Sequence, residues 1–288
     1  MKKILFQFDT DTHPASFDTI VAYDGGADHV VGHGGLTPAN VGPLVDGTIF
    51  TRPPKEKQNT AIFVGGSDLL AGQALLEAVK KKFFANFRVS VMLDSNGSNT
   101  TAAAGVARIV ASTEVTGKKA VVLAGTGPVG QRAAALLAQE GARVALTSRS
   151  LGRAERACKA MKARFGVEIT PLEAIDHAAR ARAIGDAQIV FAAGAAGVAL
   201  LAEEYWRDNP GLEVLLDANA TPPLGIEGVD MMARGAQYHG KTCWGAIGFG
   251  ALKLAVHRAC IARLFERNDQ IFDAEEIYAV ARELIKTG

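Results

Sequence analysis

Lys119-Ala120-Val121-Val122-Leu123-Ala124-Gly125-Thr126-Gly127-Pro128-Val129-Gly130 decides the fold. Its first half is a short apolar run with the length and composition of a buried parallel strand. Its second half is a complete G-x-G-x-x-G. Residues 131–140 are rich in helix formers and stop at Gly141, a natural residue just past a helix end. Pro128 falls in the first helical turn, where its missing N–H removes no helical bond. A glycine triplet alone would say little in a chain with 31 glycines. Strand, turn and helix in this order describe the first half of a Rossmann unit. The glycines let the backbone approach a pyrophosphate, and the helix N-terminus aims N–H groups at it. Gly125, Thr126, Gly127, Pro128, Val129 and Gly130 are therefore the expected cofactor contacts. The competing reading is a tight turn in another doubly wound fold.

The end of the next strand indicates which nucleotide is bound. Residues 143–147 read as that strand, followed by Ser148-Arg149-Ser150. An NAD site usually carries an acid about 20 residues beyond the glycines, where it accepts from the ribose 2′-OH. Here the position holds Arg149 between two serines. A carboxylate would repel a 2′-phosphate, whereas a guanidinium binds one with two parallel hydrogen bonds and hydroxyls add donors. NADP is the expected cofactor, with Ser148, Arg149 and Ser150 at its 2′-phosphate. The alternative is a solvated arginine at a helix start.

The 288 residues suffice for two domains, each with its own core. Lys and Arg total 31 against 30 Asp and Glu, so no net charge would hold the chain on nucleic acid or an anionic membrane. The N-terminal apolar run is too short and broken for a signal peptide. The longest uncharged apolar stretch, 189–202, contains two glycines and falls short of a bilayer span. Cys158, Cys243 and Cys260 are odd in number and far apart, giving neither a disulfide framework nor a metal knuckle. A cytoplasmic protein without a metal is expected.

Strand and helix patterns alternate along the whole chain. Strands are expected at 4–8, 29–31, 61–64 and 89–93, and helices at 17–23, 38–45, 68–83 and 99–111. Beyond the boundary at 112–117, helices are expected at 151–165 and 172–184, and strands at 167–169, 188–192 and 213–217. Two further helices, 246–265 and 273–286, are expected to cross back onto the first domain. The class is α/β: a parallel-sheet N-terminal domain (1–112 with 251–288) and a Rossmann NADP-binding domain (113–250).

Open parallel sheets bind ligands at the carboxyl ends of their strands, so two such domains imply a cleft lined by those ends. The candidates there are Asp9 to Asp11, Phe17-Asp18, and the polar run Asp94-Ser95-Asn96-Gly97-Ser98-Asn99-Thr100-Thr101. That run also suits an ordinary helix N-cap; its eight consecutive polar residues favour substrate contact. Ala193-Gly194 ends a strand of the second domain with small residues that would let a nicotinamide ring lie close.

These residues resemble a known family. Phe6-Gln7-Phe8-Asp9-Thr10-Asp11, Phe17-Asp18 with Asp24-Gly25-Gly26, and the run from Asp94 through Gly105 are similar to the methylene-tetrahydromethanopterin dehydrogenases of methylotrophic bacteria. The glycine turn, Gly250-Ala251-Leu252-Lys253-Leu254 and His257-Arg258-Ala259-Cys260-Ile261-Ala262 extend the similarity over essentially the full length. It is greatest to the NADP-dependent form, which also accepts methylene-tetrahydrofolate. The resemblance implies two α/β domains, a homo-oligomer (a trimer), a pterin or folate carrier as substrate and a role in one-carbon metabolism. A related folate enzyme adds cyclohydrolase activity through a Tyr-x-x-x-Lys pair. None of Tyr23, Tyr205, Tyr238 or Tyr278 has Lys four residues on, which argues against that activity here.

Such chemistry explains what the chain lacks. Hydride loss from an N–CH2–N aminal yields an amidinium-like cation directly, so no strong base or metal is required and alignment is the main task. His29 and His33 flank a non-helical Val30-Val31-Gly32, which argues against zinc ligation, and the scattered His13, His177, His239 and His257 are read as structural or surface residues. Lys253 is the one charged residue between Thr242 and Val256. It is either a lysine snorkelling from a buried helix or, as the resemblance implies, the active-site lysine. A protonated amine beside the forming cation would oppose oxidation. Lys253 is therefore expected to bind a polar edge of the pterin or to be neutralised by burial. Phe17 would stack on the pterin, and Asp18 or Asp94 would accept from its amino-pyrimidine edge, with Asn96, Asn99 and Thr100 nearby. The alternatives are another two-domain NADP dehydrogenase of shikimate type, whose Asn-x-Thr-x-x-Pro-x-Lys motif is absent, and a non-catalytic NADP-sensing module.

Overall fold

The structure, a computed structural model, describes residues 1–287. The chain begins with β1 (Ile4–Asp9), α1 (Ser16–Asp24), β2 (His29–His33), α2 (Gly42–Phe50), β3 (Thr60–Gly65), α3 (Leu69–Lys81), β4 (Ser90–Leu93) and α4 (Ser98–Ser112). It continues with β5 (Lys119–Leu123), α5 (Pro128–Gln139), β6 (Arg143–Ser148), α6 (Leu151–Phe165), β7 (Ile169–Glu173), α7 (His177–Ile184), β8 (Ile189–Ala192) and β9 (Val214–Asp217). The last elements are β10 (Arg234–Tyr238), β11 (Lys241–Trp244), α8 (Ala246–Leu264), β12 (Ile271–Phe272) and α9 (Ala274–Thr287). Two compact units result. One comprises Met1–Thr100 with Leu254–Val280, the other Thr101–Lys253 with the residues from Ala281.

The first unit holds a parallel sheet in the order β12-β4-β3-β1-β2. β3 and β4 are buried at every position, which is why they read as near-continuous apolar runs rather than alternating ones. Phe8, Ile62, Val64, Val91 and Leu93 from the strands pack with Val45 and Ile49 of α2 and Leu75 and Val79 of α3. The Asp68 carboxylate caps α3, accepting from the N–H groups of Leu70 and Ala71 at 2.8 and 3.0 Å.

The second unit holds a sheet in the order β10-β11-β9-β8-β5-β6-β7, parallel except for the β10–β11 pair. Read from β7 to β11, this is the 3-2-1-4-5-6 order of dinucleotide-binding sheets, with β10 added along the edge. Val121, Leu123, Val190 and Leu215 form its core with Trp206 and Ile226. The buried Trp206 indole N–H donates to the Glu227 carbonyl at 2.9 Å, so its polar edge is satisfied.

The structure corrects several expected elements. The helix expected at 38–45 lies at Gly42–Phe50, because Pro43 suits a first helical turn and cannot occupy a helix interior. The strand expected at 167–169 is Ile169–Glu173, and the helix expected from 172 is confined to His177–Ile184. β7 is an edge strand, which tolerates Pro171. The Asp176 carboxylate then starts α7 by accepting from the Ala179 N–H at 2.7 Å. The β10–β11 hairpin and the two-residue β12 have no counterpart among the expected elements.

Candidate functional site

The glycine turn is a close backbone contact. Ala124 sits at φ 51°, in the left-handed region. Its N–H donates to the Thr147 hydroxyl at 3.0 Å, and the Gly125 N–H donates to the Thr147 carbonyl at 3.0 Å. The end of β6 thereby holds the end of β5. A Cβ on Gly130 would lie 2.5 Å from the Gly125 Cα and 2.7 Å from its carbonyl oxygen, so α5 starts directly against the turn. A Cβ on Gly127 would meet no heavy atom within 4 Å. Pro128 opens α5, and the Gln131 N–H makes a helical bond to the Gly127 carbonyl at 3.0 Å. Val129 and Gly130 precede it, at helix positions whose N–H groups have no intrahelical acceptor. The Gln131 side chain donates to the Thr126 carbonyl at 2.7 Å and braces the loop.

Beside this turn lies a cavity of about 280 Å³, lined among others by Ala124, Ser148, Arg149, Arg180, Gly194 and Leu200. Three sequence-predicted positions, Ser148, Arg149 and Gly194, meet there. Ser148 is buried, and its hydroxyl accepts from the Ser150 N–H at 3.3 Å, while Arg149 is exposed. The Ala193 N–H continues the β5–β8 pairing by donating to the Leu123 carbonyl at 3.0 Å. A Cβ on Gly194 would lie 2.8 Å from the Leu200 side chain, which explains the small residue.

Sequence reasoning missed Arg180, which is only 8% exposed. Its guanidinium donates to the Leu200 carbonyl at 3.0 Å and to the Ile175 carbonyl at 3.4 Å. Burial lowers its pKa; the Asp176 carboxylate raises it, and the charge of Arg149 lowers it further. The run His177-Ala178-Ala179-Arg180-Ala181-Arg182 gives no periodic apolar signal. Only Asp176 as N-cap would have fixed which arginine turns inward.

In the first unit the polar run after β4 is mostly a buried cap. One Asp94 oxygen accepts from the N–H groups of Asn99 and Thr100 at 2.8 and 3.1 Å, and the other from the Thr100 hydroxyl at 2.6 Å. The Asn99 amide donates to the Leu93 carbonyl at 2.7 Å and to Asp273 at 3.0 Å. Asp94, Asn99 and Thr100 are all fully buried. Asn96 is exposed beside them at φ 55°, with its N–H donating to the Gly66 carbonyl at 2.7 Å. The loops after β3 and β4 are thus tied together.

Phe17 and Asp18 occupy the first turn of α1, with Phe17 46% exposed and Asp18 half-buried. The Phe17 ring lies 6.4 Å from that of His257, which stacks on Phe63 at 5.4 Å. His257 is buried, in accord with a structural histidine. Lys253 is half-buried on α8, one helical turn before His257 on the same face. Among the described residues, no group of three or more His, Cys, Asp or Glu could hold a metal ion. No helix among them is long and apolar enough to cross a membrane.

Residues 16–96 match the family model described as methylene-tetrahydromethanopterin dehydrogenase, N-terminal. A Methylorubrum extorquens protein named Bifunctional protein MdtA is 59% identical over 285 residues, spanning 98% of this chain and 99% of its own. The NAD(P)-dependent methylenetetrahydromethanopterin dehydrogenase of the same organism is 31% identical over 293 residues, with 98% and 99% covered. Among solved structures, a shikimate 5-dehydrogenase from Mycobacterium fortuitum aligns with a TM-score of 0.51 at 18% identity, covering 97% of this chain and 98% of its own. The 5-ketofructose reductase of a Gluconobacter species aligns with a TM-score of 0.50 at 14% identity, covering 99% of both chains. These two structures share the fold.

Three outcomes are expected from this geometry. Gly127→Val places its side chain in open space and should leave the melting temperature within about 2 °C of the parent, a stability change below ~1 kcal/mol. Gly130→Val drives a side chain into the Gly125 backbone and should lower it well beyond that; equal melting temperatures would contradict the contact. Asp94→Ala removes three hydrogen bonds from a buried cap and should destabilise by about 2 kcal/mol in denaturant titrations. A neutral result would mean that the cap contributes nothing to α4.

Proposed function

The chain belongs to the methylene-tetrahydromethanopterin dehydrogenase family, and on that premise we propose that it oxidises methylene-tetrahydromethanopterin to the methenyl form by direct hydride transfer to NADP+. Methylene-tetrahydrofolate is the second carrier we expect it to accept. The observation that carries this reading is the end-to-end match to a relative named as that dehydrogenase.

The second unit fits a dinucleotide. The open space at Gly127 suits a pyrophosphate lying against the start of α5. NADP over NAD is supported by Arg149 at the end of β6, and by the absence of any carboxylate among the described residues lining the adjoining cavity. When bound, the nicotinamide supplies the hydride acceptor. The residues of this chain have to align the carrier with it, since the aminal loses hydride without moving a proton.

Phe17 offers an exposed ring for the pterin face. Asp18 and Asn96 are the accessible polar residues for its amino-pyrimidine edge. Asp94, Asn99 and Thr100 act as positioning residues that hold the Asn96 loop. Lys253 binds a polar edge of the carrier away from the reacting carbon, where its charge does not oppose the forming cation.

Purified protein with NADP+ and each carrier separately should form NADPH; no turnover with either carrier would remove this reading. Arg149→Ala should weaken NADP+ binding by about 1.5–3 kcal/mol, the range for charge-assisted hydrogen bonds, with NAD+ binding changed far less in calorimetry. Equal losses would make Arg149 structural. Lys253→Met keeps the apolar stem and removes the charge. It should lower kcat/KM for the carrier by about tenfold or more, a loss of at least ~1.4 kcal/mol of transition-state binding, with NADP+ affinity and melting temperature nearly unchanged. Turnover close to the parent's would remove Lys253 from the active site.

A further inference from the structure

We propose that Arg180 is the second cation of the 2′-phosphate site and, with Arg149, sets the preference for NADP over NAD. This rests on reading the cavity beside the glycine turn as the cofactor site. Both arginines line that cavity, one from the end of β6 and one from α7.

A guanidinium carries five N–H donors. The carbonyls of Leu200 and Ile175 accept two hydrogen bonds from Arg180, one through each terminal nitrogen. Those carbonyls belong to two different segments, one after β7 and one after β8. Arg180 therefore fixes both walls while its charge stays beside the space they enclose.

Two guanidinium groups close enough to influence each other, one of them 8% exposed, are mutually unfavourable without an anion. The carboxylate that acts on Arg180 is that of Asp176, which is exposed and bonded to the Ala179 N–H at 2.7 Å. Solvent weakens its field, so it offsets the pair only in part. The described lining residues otherwise are small, hydroxyl-bearing or apolar, and none is acidic. A ribose 2′-OH presents one neutral oxygen to this charge. A 2′-phosphate presents three charged oxygens, enough for a bidentate pair with Arg149 and a further bond from Arg180.

The test uses the full-length protein with Arg180→Gln and Arg180→Lys. Dissociation constants are measured by calorimetry for NADP+, NAD+, adenosine 2′-monophosphate and adenosine 5′-monophosphate, with melting temperatures in parallel. Arg180→Gln should weaken NADP+ and adenosine 2′-monophosphate about tenfold or more, the loss of one charge-assisted bond, and change NAD+ and adenosine 5′-monophosphate less than about threefold. Arg180→Lys keeps the charge without the planar fork and should fall between parent and Gln for the 2′-phosphorylated ligands alone. Equal losses for all four ligands would make Arg180 a wall brace only, and unchanged NADP+ affinity in either variant would overturn the proposal. Should Arg180→Gln fail to fold, the Lys variant decides by the same selectivity. A parent protein that binds neither dinucleotide would remove the cofactor reading itself, and one that binds both equally would remove the preference; either result ends this inference too.

Discussion

The contact between Gly125 and Gly130 is the constraint on which the rest of the second unit depends. Two backbone segments five residues apart in sequence approach so closely that no side chain fits between them. That approach sets the angle at which α5 leaves β5, and with it the direction in which the first N–H groups of the helix point. β6 meets the same turn through Thr147, whose hydroxyl and carbonyl both accept from it. The cavity holding Arg149 and Arg180 is bounded by these elements, so its position follows from the glycine contact.

A second device recurs where strands meet their following loops. Asp9 ends β1 and accepts from the N–H groups of Asp11 and Ala15 at 2.8 and 3.3 Å. Asp94 follows β4 and binds the first turn of α4. Asp217 ends β9 and accepts from the N–H groups of Asn219 and Ile226, each at 3.0 Å. All three carboxylates are buried, and in each the loop backbone folds back onto the acid. Burial raises the pKa of Asp9 and Asp217, while the backbone bonds oppose that shift. The loops that border these strand ends are thus fixed from inside by buried carboxyl groups.

The dinucleotide unit was legible in the sequence because its constraints are local. Glycines, proline, strand and helix all lie within about twenty residues, and each residue type is dictated by backbone geometry. The polar run at Asp94 was visible as a feature, but its polarity does not reveal its partners. Asp94, Asn99 and Thr100 satisfy one another and a distant Asp273, which composition cannot show. Arg180 was hidden because an arginine in an arginine-rich helix resembles a solvated one until the helix start is fixed at His177. β12 was hidden for a similar reason: two residues carry no periodicity, and their pairing with Val91 and Met92 is entirely non-local.

The late arrival of β12 has a consequence for how the protein is made. The first sheet is interrupted after β4, and its edge is closed by residues far along the chain, with the Gln270 N–H donating to the Ser90 hydroxyl across a separation of 180 residues. During synthesis, β1 to β4 leave the ribosome first, yet they wait with an open strand edge while the whole glycine-turn sheet is translated. That second sheet runs from Lys119 to Trp244 and uses no strand from outside this span. The order of completion is therefore the reverse of the order of emergence: the inserted unit can close its sheet while its host is unfinished. An exposed β4 edge during this interval is where a nascent chain of this topology is most open to wrong pairing.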